Sequence, residues 1–340
     1  MNAILAVALV AIALPPLVAR AVGGEPPHPY PSLAALAPLA ALVAFAGAVV
    51  AATASWWLAL LLAIPAVILL TWQLPPSRRA GQGAALARQH LPGPGPSALK
   101  LRVLTLNVLG GSADPAAAVE AVARHQVDLL VVQELTPGMV HRLADAGLDA
   151  MLPYRHLSPR PGPHGTGLWA RWPMAPLPPV PGLKAAAPRA LIEPVEGRPV
   201  TVTGVHPKAP VRRNVRLWQQ ELAAIRSTLV TSDGPQVVAG DFNASRDHRP
   251  FRALLNAGFL DCADAARRRP WPGFTWPAGR WIPLVMRLDH VLVSRGSASV
   301  RAVRVIRVPG TDHRGVLAVI QLTFRLPPAS APPARPSPPG

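Results

Sequence analysis

Six apolar stretches of the sequence end or begin in side chains that can hold a metal ion or move a proton. Each stretch has the composition of a buried β-strand. The residues at their ends are Asn107, Gln133 with Glu134, His206, Asp241 with Asn243, Asp289, and Asp312 with His313. Asp and Asn also favour turns for local reasons, so one such strand end would mean little. Because strands packed side by side bring their ends to one edge of a sheet, six of them together predict a single site.

The types of these residues indicate the chemistry of the predicted site. Carboxylate and amide oxygens, such as those of Glu134, are the ligands that Mg²⁺ and Mn²⁺ prefer, and the single cysteine, Cys262, excludes a zinc site made of clustered cysteines. Two histidines, His206 and His313, suit proton transfer and the stabilisation of developing negative charge. The sequence has neither a P-loop nor a GxSxG motif. Metal-assisted hydrolysis of a phosphate ester is the reaction that fits best.

Alternating strands and helices must position these residues. Predicted strands cover residues 101–107, 128–133, 201–206 and 236–240, and three more, 287–293, 300–308 and 315–324, come late in the chain. Predicted helices cover 115–125, 211–229 and 249–256, and another begins at Thr136. Asp114 before Pro115 is typical of a helix start. The pattern predicts an α/β fold with layered sheets flanked by helices.

The segment VVAGDFNAS, residues 237–245, shows how one strand end would present its polar groups. Gly240 is expected to let the chain turn sharply. Asp241 and Asn243, two residues apart, would lie on one side, while Phe242 between them would point back into the core.

The order of these motifs resembles the endonuclease/exonuclease/phosphatase superfamily, whose fold is that of DNase I, apurinic endonucleases, sphingomyelinases and inositol phosphatases. Gln133-Glu134, the run Gly240 to Asn243 and the final Asp312-His313 carry the resemblance, which covers about residues 99–325. It implies a four-layer α/β sandwich of two facing mixed sheets covered by helices. Pro207, directly after His206, replaces the commoner leucine, so the loop that follows is distinctive.

The resemblance also implies roles for the matching residues. Glu134 is the expected principal ligand of Mg²⁺, or alternatively Mn²⁺, with Asn107 and Asp312 as further metal-site residues. Asp241 would orient or deprotonate the attacking water, and Asn243 would hold the phosphate. His206 and His313 would stabilise the transition state. Asp312 is expected to orient His313, and Asp289 to belong to the surroundings of the metal or the histidine. The predicted catalytic residues are therefore His206, Asp241, Asn243, Asp289, Asp312 and His313.

The N-terminal quarter of the chain has the composition of a membrane anchor. No charged residue occurs from Pro26 to Ser77, and three apolar segments, 2–19, 33–51 and 56–72, approach the length that crosses a bilayer. Trp56, Trp57 and Trp72 flank the last segment, as is common at membrane interfaces. The first segment has an alternative interpretation as a signal peptide, although it lacks a basic start. We predict about three transmembrane helices.

Composition divides the whole chain into four parts. Residues 1–74 form the predicted anchor, 75–98 a flexible linker rich in Pro and Gly, 99–325 the catalytic domain and 326–340 a disordered Pro-rich tail. The net charge of +17 lies outside the anchor, because residues 1–75 contain only Arg20 and Glu25 as charged residues. A cationic domain attracts nucleic acid, anionic membrane surfaces or phosphorylated substrates.

The anchor favours a substrate that itself resides in the bilayer, because tethering raises its effective concentration. The arrangement looks like that of actinobacterial membrane phosphatases associated with teicoplanin resistance, which implies a polyprenyl phosphate or pyrophosphate substrate. A membrane-tethered nuclease and a catalytically inactive binding module are the alternatives. We expect a multi-pass protein of the cell membrane with its catalytic domain outside, although Arg78, Arg79 and Arg88 favour the cytoplasmic side by the positive-inside rule.

Overall fold

The computed structural model describes residues 2–22, 29–73, 99–266, 273–279, 281, 283 and 285–323 of the chain, without the side chains of Tyr30 and Arg212. The predicted linker 75–98 and the predicted tail 326–340 lie outside the described residues, so both stay predictions.

Twelve strands form two mixed six-stranded sheets among the described residues. In chain order they are β1 (Leu99–Asn107), β2 (Leu129–Gln133), β3 (Tyr154–Ser158), β4 (Thr166–Ala170), β5 (Met174–Leu177), β6 (Arg189–Val195), β7 (Arg198–Val205), β8 (Gln236–Asp241), β9 (Phe259–Asp261), β10 (Asp289–Ser294), β11 (Ala298–Ile306) and β12 (Gly315–Leu322). The first sheet has the order β11-β12-β1-β2-β4-β3 and the second β5-β6-β7-β8-β10-β9.

Six α-helices of the described residues accompany the sheets, two of them a single turn long: α5 (Pro115–Arg124), α6 (Pro137–Asp145), α7 (Leu148–Met151), α8 (Val215–Val230), α9 (Arg249–Asn256) and α10 (Cys262–Ala265). Two short 3₁₀ helices cover Gly162–His164 and Arg212–Asn214. Asp114 caps α5 through its Oδ1, which accepts a hydrogen bond from the Ala116 amide at 2.9 Å, and Pro115 occupies the first turn. The predicted helix start is therefore confirmed.

The central strands are buried on both faces, which explains the four layers. In β1, Leu101 and Val103 pack between the two sheets, whereas Leu104 and Leu106 pack against α5 and α6. In the second sheet, β8 and β10 face the first sheet with one set of side chains and the helices α8 and α9 with the other. This arrangement confirms the predicted four-layer α/β sandwich.

Parallel pairing brings polar strand ends to one edge. β1 and β2 run parallel and so do β7 and β8, and in each pair a helix, α5 or α8, makes the return connection. The carboxyl ends of these four strands consequently lie together, and β10, which is antiparallel to β8, begins at the same edge, with Asp289 opposite Asp241.

Before the sandwich, the described residues form four helices: α1 (Asn2–Val22), α2 (Tyr30–Ala35), α3 (Ala37–Ala52) and α4 (Trp56–Gln73). Only α1 and α4 are long and apolar enough to cross a membrane, so the prediction of three such helices is wrong for the middle segment. The helix breaks at Leu36, so α3 begins at Ala37 with Pro38 in its first turn and has only 16 residues, about 24 Å. A bilayer's hydrocarbon core is about 30 Å thick.

The helices contact the sandwich at the loop that follows the β8 strand end. The Arg20 guanidinium, at the end of α1, forms a salt bridge of 2.7 Å with the Asp247 carboxylate, and both side chains are buried. Gln73 Nε2, at the end of α4, donates to the same Asp247 carboxylate at 3.3 Å. His248 Nε2 lies 2.7 Å from the carbonyl oxygen of Pro31. The predicted anchor therefore packs on a loop only four residues beyond Asn243.

Replacing Arg20 with methionine is expected to lower the free energy of unfolding by about 3 kcal/mol or more, because the Asp247 carboxylate would stay buried without its nearest cation. Urea unfolding of the full-length protein in detergent, followed by tryptophan fluorescence, measures the change. Arg124→Met is the matched control, since its pair with Glu120 is more than half exposed on both sides and should contribute less than about 1 kcal/mol. Equal stability of the two variants would contradict a structural role for the Arg20 contact.

Candidate active site

Asp241 lies at the centre of the polar cluster formed by the strand ends. Its Oδ2 accepts a hydrogen bond from Asn107 Nδ2 at 3.1 Å and lies 3.6 Å from the Nε2 atoms of both His206 and His313. The carboxylate is 1 % exposed. One acidic oxygen thus faces two imidazoles and an amide that come from three other strands or strand ends.

Glu134 and Asn107 form the adjoining side of the cluster. Asn107 Nδ2 also donates to Glu134 Oε1 at 3.1 Å, and the Gly110 amide donates to Glu134 Oε2 at 2.8 Å. Glu134 has a positive φ of 57°, as Asn243 does at 46°. Such left-handed backbone is unfavourable for residues with a Cβ and concentrates at functional sites, because the surrounding contacts must hold it.

His313 is oriented by Asp289. Its Nδ1 lies 2.9 Å from Asp289 Oδ2, which leaves Nε2 directed at Asp241. Burial alone would lower the pKa of His313, but the carboxylates of Asp289 and Asp241 outweigh it and raise this pKa to about 10. The imidazole is therefore a cation at neutral pH and a hydrogen-bond donor through Nε2.

The expectation that Asp312 orients His313 is wrong. The Asp312 carboxylate accepts a hydrogen bond from Trp276 Nε1 at 3.3 Å, and its backbone oxygen accepts one from the Ala278 amide. Asp312 and His313 lie in the bend before β12, and Asp289, the first residue of β10 in the facing sheet, is the carboxylate that contacts the His313 ring. His206 is held separately, with Nδ1 3.1 Å from the Pro163 carbonyl oxygen.

The GDFN segment behaves largely as predicted. Phe242 is fully buried in the core beneath α8 and α9, and Asp241 and Asn243 both line one cavity. The Asn243 amide donates to Asp241 Oδ1 at 2.8 Å. Gly240, however, makes no special turn. A Cβ there would lie 2.0 Å from the Val205 carbonyl oxygen, so the close approach of β7, rather than a sharp turn, requires glycine.

Gly240→Ala is expected to lower the free energy of unfolding of the domain by about 1 to 3 kcal/mol, because the added methyl group must displace the backbone of the neighbouring strand β7. Thermal unfolding followed by circular dichroism is the measurement. Gly138→Ala serves as the control, because Gly138 lies in α6 with open space where its Cβ would be and has no positive φ. A Gly240→Ala protein as stable as the Gly138→Ala protein would contradict the close packing.

A cavity of about 130 Å³ opens on this cluster. Besides Glu134, His206, Asp241, Asn243 and His313, its lining includes residues that sequence reasoning did not assign to the site: His164, Lys184 and Lys208. His164 ends the short 3₁₀ helix Gly162–His164, and both lysines lie on loops, so no strand or α-helix periodicity indicated these residues. The only sequence signal was the unusual Pro207, whose carbonyl oxygen accepts a hydrogen bond from Asn243 Nδ2 at 2.9 Å.

The donor atoms of this cluster fit a hard divalent cation. Carboxylate and amide oxygens dominate it, and Asp289 Oδ1 is buried without a hydrogen-bond partner among the described residues. Ligand atoms of Asp241, Asp289 and His313 lie within 4.8 Å of one another. Because Asp289 and His313 already bond each other, Glu134, which lines the cavity and accepts a hydrogen bond from Asn107, is the better-placed metal ligand.

The fold is similar to that of several solved structures. The Neisseria 3′ phosphatase NExo, bound to a product DNA hairpin, is 21 % identical, with a TM-score of 0.54, and the match covers 66 % of this chain and 100 % of that one. D. rerio TDP2 with a single-strand DNA product is 18 % identical (TM-score 0.54, coverage 65 % and 98 %). An endonuclease/exonuclease/phosphatase from Beutenbergia cavernae is also 18 % identical (TM-score 0.51, coverage 66 % and 72 %).

Comparison with curated protein sequences gives no match. A sequence profile of the Endonuclease/Exonuclease/phosphatase family, in contrast, matches residues 104–313, a range that contains all eight predicted site residues. Together with the two facing sheets and the cluster at their common edge, this match shows that the chain belongs to the endonuclease/exonuclease/phosphatase family.

Proposed function

We propose that this protein is a membrane-anchored, divalent-metal-dependent phosphoester hydrolase that acts on a lipid-linked phosphate or diphosphate. The observation that carries the hydrolase assignment is the convergence of Asn107, Glu134, His206, Asp241 and His313 on one cavity edge. The lipid assignment rests on the apolar helices α1 and α4 and on their contact with the loop after Asn243.

The roles proposed for the residues follow from their atoms. Glu134, supported by Asn107, would hold Mg²⁺ or Mn²⁺, whereas the Asp312 carboxylate, which accepts a hydrogen bond from Trp276, would lie outside the ligand set. When bound, such an ion polarises a phosphoryl oxygen and lowers the pKa of water. Asp241, which accepts hydrogen bonds through both oxygens, would orient an attacking water and take its proton.

The two imidazoles stand on either side of Asp241 and would donate hydrogen bonds from Nε2 to phosphoryl oxygens as negative charge develops there. Asp289 holds the His313 ring in the orientation that this requires and stabilises its protonated form. Asn243, at the cavity wall, would bind a phosphate oxygen.

We also propose residues 1–74 as a multi-pass anchor of the cell membrane and residues 99–325 as the catalytic domain, placed outside the cell. Exposed apolar side chains of α1 and α4, including Ile12, Leu61 and Ile64, support burial in lipid. A reporter enzyme fused after Ser97 tests the side of the membrane, and activity only in the cytoplasm would contradict an external domain.

A membrane-tethered nuclease is the second candidate. Two structural neighbours hold product DNA, and the net charge of +17 favours polyanions. A binding module without catalysis is less favoured, because none of the eight expected side chains is missing.

The deciding experiment compares substrates for the purified full-length protein in detergent. Phosphate release from polyprenyl phosphate and diphosphate, with Mg²⁺, and cleavage of single- and double-stranded DNA are measured at two salt concentrations. Release from the lipids alone supports the proposal. DNA cleavage that falls steeply with salt, without release from lipid, would establish the nuclease instead.

A further inference from the structure

Two of the chain's three lysines line the cavity. Among 34 lysine and arginine residues only Lys100, Lys184 and Lys208 are lysines, and the last two lie at the cavity wall. Neither ammonium group forms a salt bridge with a carboxylate of the described residues, whereas most buried arginines of the domain do. The cavity lining thus combines the catalytic carboxylates with two lysines whose ammonium groups have no acidic partner among the described residues.

A buried glutamate fixes the two loops that carry these lysines. Glu221, on the inner face of α8, is 1 % exposed, and its Oε1 accepts the Lys184 amide at 2.8 Å while its Oε2 accepts the Lys208 amide at 2.5 Å. A carboxylate buried in this way costs free energy unless hydrogen bonds compensate it, so both loops are held by an interaction that would be expensive to break.

The same loops are bonded to residues around the catalytic cluster. Asn243 donates to the carbonyl oxygen of Pro207, the residue before Lys208. On the other loop, the Ala186 amide donates to the His164 carbonyl oxygen at 2.7 Å, and Arg160 donates to the Lys184 carbonyl oxygen at 3.1 Å. The positions of both lysines relative to Asp241 and His313 are therefore determined by the fold.

We propose that Lys184 and Lys208 form a second phosphate subsite beside the catalytic cluster, positioned by Glu221, which selects substrates with two linked phosphate groups. The inference rests on the proposed function, because the first phosphate is the one that the catalytic cluster holds. Lysine binds phosphate as a point charge from a flexible stem, and two unpaired ammonium groups match the charge of a terminal phosphate of about −1.5 to −2. A diphosphate ester is the substrate class that fills both places.

The scarcity of lysine permits a direct binding test. The full-length protein in detergent is reductively methylated with ¹³C-formaldehyde, which labels the three lysines and the N-terminus and keeps their charge. Lys→Arg variants assign the signals, and inorganic pyrophosphate or inorganic phosphate is added without divalent metal. We expect pyrophosphate to shift the Lys184 and Lys208 signals at concentrations about tenfold lower than phosphate, and the Lys100 signal to stay in place.

Equal responses of all three lysines, or none at Lys184 and Lys208, would overturn the subsite. A stronger response to a single-stranded DNA oligonucleotide than to pyrophosphate would overturn its assignment to a diphosphate. Because the measurement needs no turnover, it can support the subsite even if lipid phosphates are not hydrolysed. A failure of the subsite can therefore be distinguished from a failure of the proposed hydrolase function.

The role of Glu221 is tested in the same assay. Glu221→Gln replaces one accepting oxygen with an amide NH₂ group that cannot accept from a backbone N–H, so it should weaken the pyrophosphate response of both lysines together. Glu120→Gln, on the exposed face of α5, is the matched control. Lys208→Ala, which leaves the buried carboxylate intact, should raise KM for a diphosphate ester about tenfold more than KM for a monoester. An equal fold-change of KM for the diphosphate ester and for the monoester in Lys208→Ala would contradict the subsite.

Discussion

Asp241→Asn should lower kcat for phosphoester hydrolysis by about a thousandfold or more. General-base assistance alone contributes about 10² to 10⁴ in rate, and the substitution also removes the charge that faces both imidazoles. An amide cannot accept a proton from water at neutral pH. It also places an NH₂ group where Asn107 or the Asn243 backbone now donates. Phosphate release under saturating substrate and Mg²⁺ is the measurement.

Asp145→Asn is the control for this substitution, because the exposed Asp145 ends α6 far from the cluster in the fold and its carboxylate has no assigned role. Circular dichroism must show that the Asp241→Asn protein keeps its secondary structure, since a buried carboxylate contributes to the fold as well. Retention of more than about a tenth of the wild-type kcat in the folded variant would remove Asp241 from the mechanism.

Asp289→Asn should lower kcat by about a hundredfold or more with little change in KM. The Asp289 carboxylate fixes the His313 ring through Nδ1 and stabilises its cationic form, so the neutral amide leaves Nε2 poorly oriented and less often protonated. Because this assistance acts on charge that develops in the transition state, the loss should appear in kcat rather than in substrate binding.

Asp312→Asn provides the comparison, because the two carboxylates come from equivalent-looking sequence motifs and only one contacts the imidazole. With its hydrogen bond from Trp276, Asp312 should affect kcat less than Asp289 does. A larger kcat loss for Asp312→Asn than for Asp289→Asn, with both proteins folded, is the result that would restore Asp312 as the residue that orients His313.

Strand ends were the most predictable feature of this chain. Apolar runs such as 101–107 and 236–240 are buried on both faces and carry polar residues only where they leave the core, so their composition marks both the strand and its end. Strands β3 to β6 were not predicted. Their region, 154–195, is rich in proline and glycine, and their pairing with neighbours in the sheet, not local propensity, makes them extended.

In the predicted anchor, by contrast, the sequence predicted one membrane-spanning helix more than the structure has. Hydropathy alone identified three apolar segments correctly, but it does not register that the helix breaks at Leu36, which leaves the middle segment too short to cross a bilayer. The contact between Arg20 and Asp247 could not be predicted either, because the two residues are 227 positions apart in the chain. Only the packed structure brings them together.

The sequence by itself determined which residue types are available and where strands deliver them: Glu134, Asp241 and His313 stand at strand ends because a carboxylate or imidazole cannot be buried unpaired within an apolar strand. The tertiary structure decided how they pair. That Asp289 rather than Asp312 holds His313, and that Glu221 fixes two lysine loops, depends on the register between distant strands and on the packing of α8. Such contacts join residues far apart along the chain, so no local pattern records them.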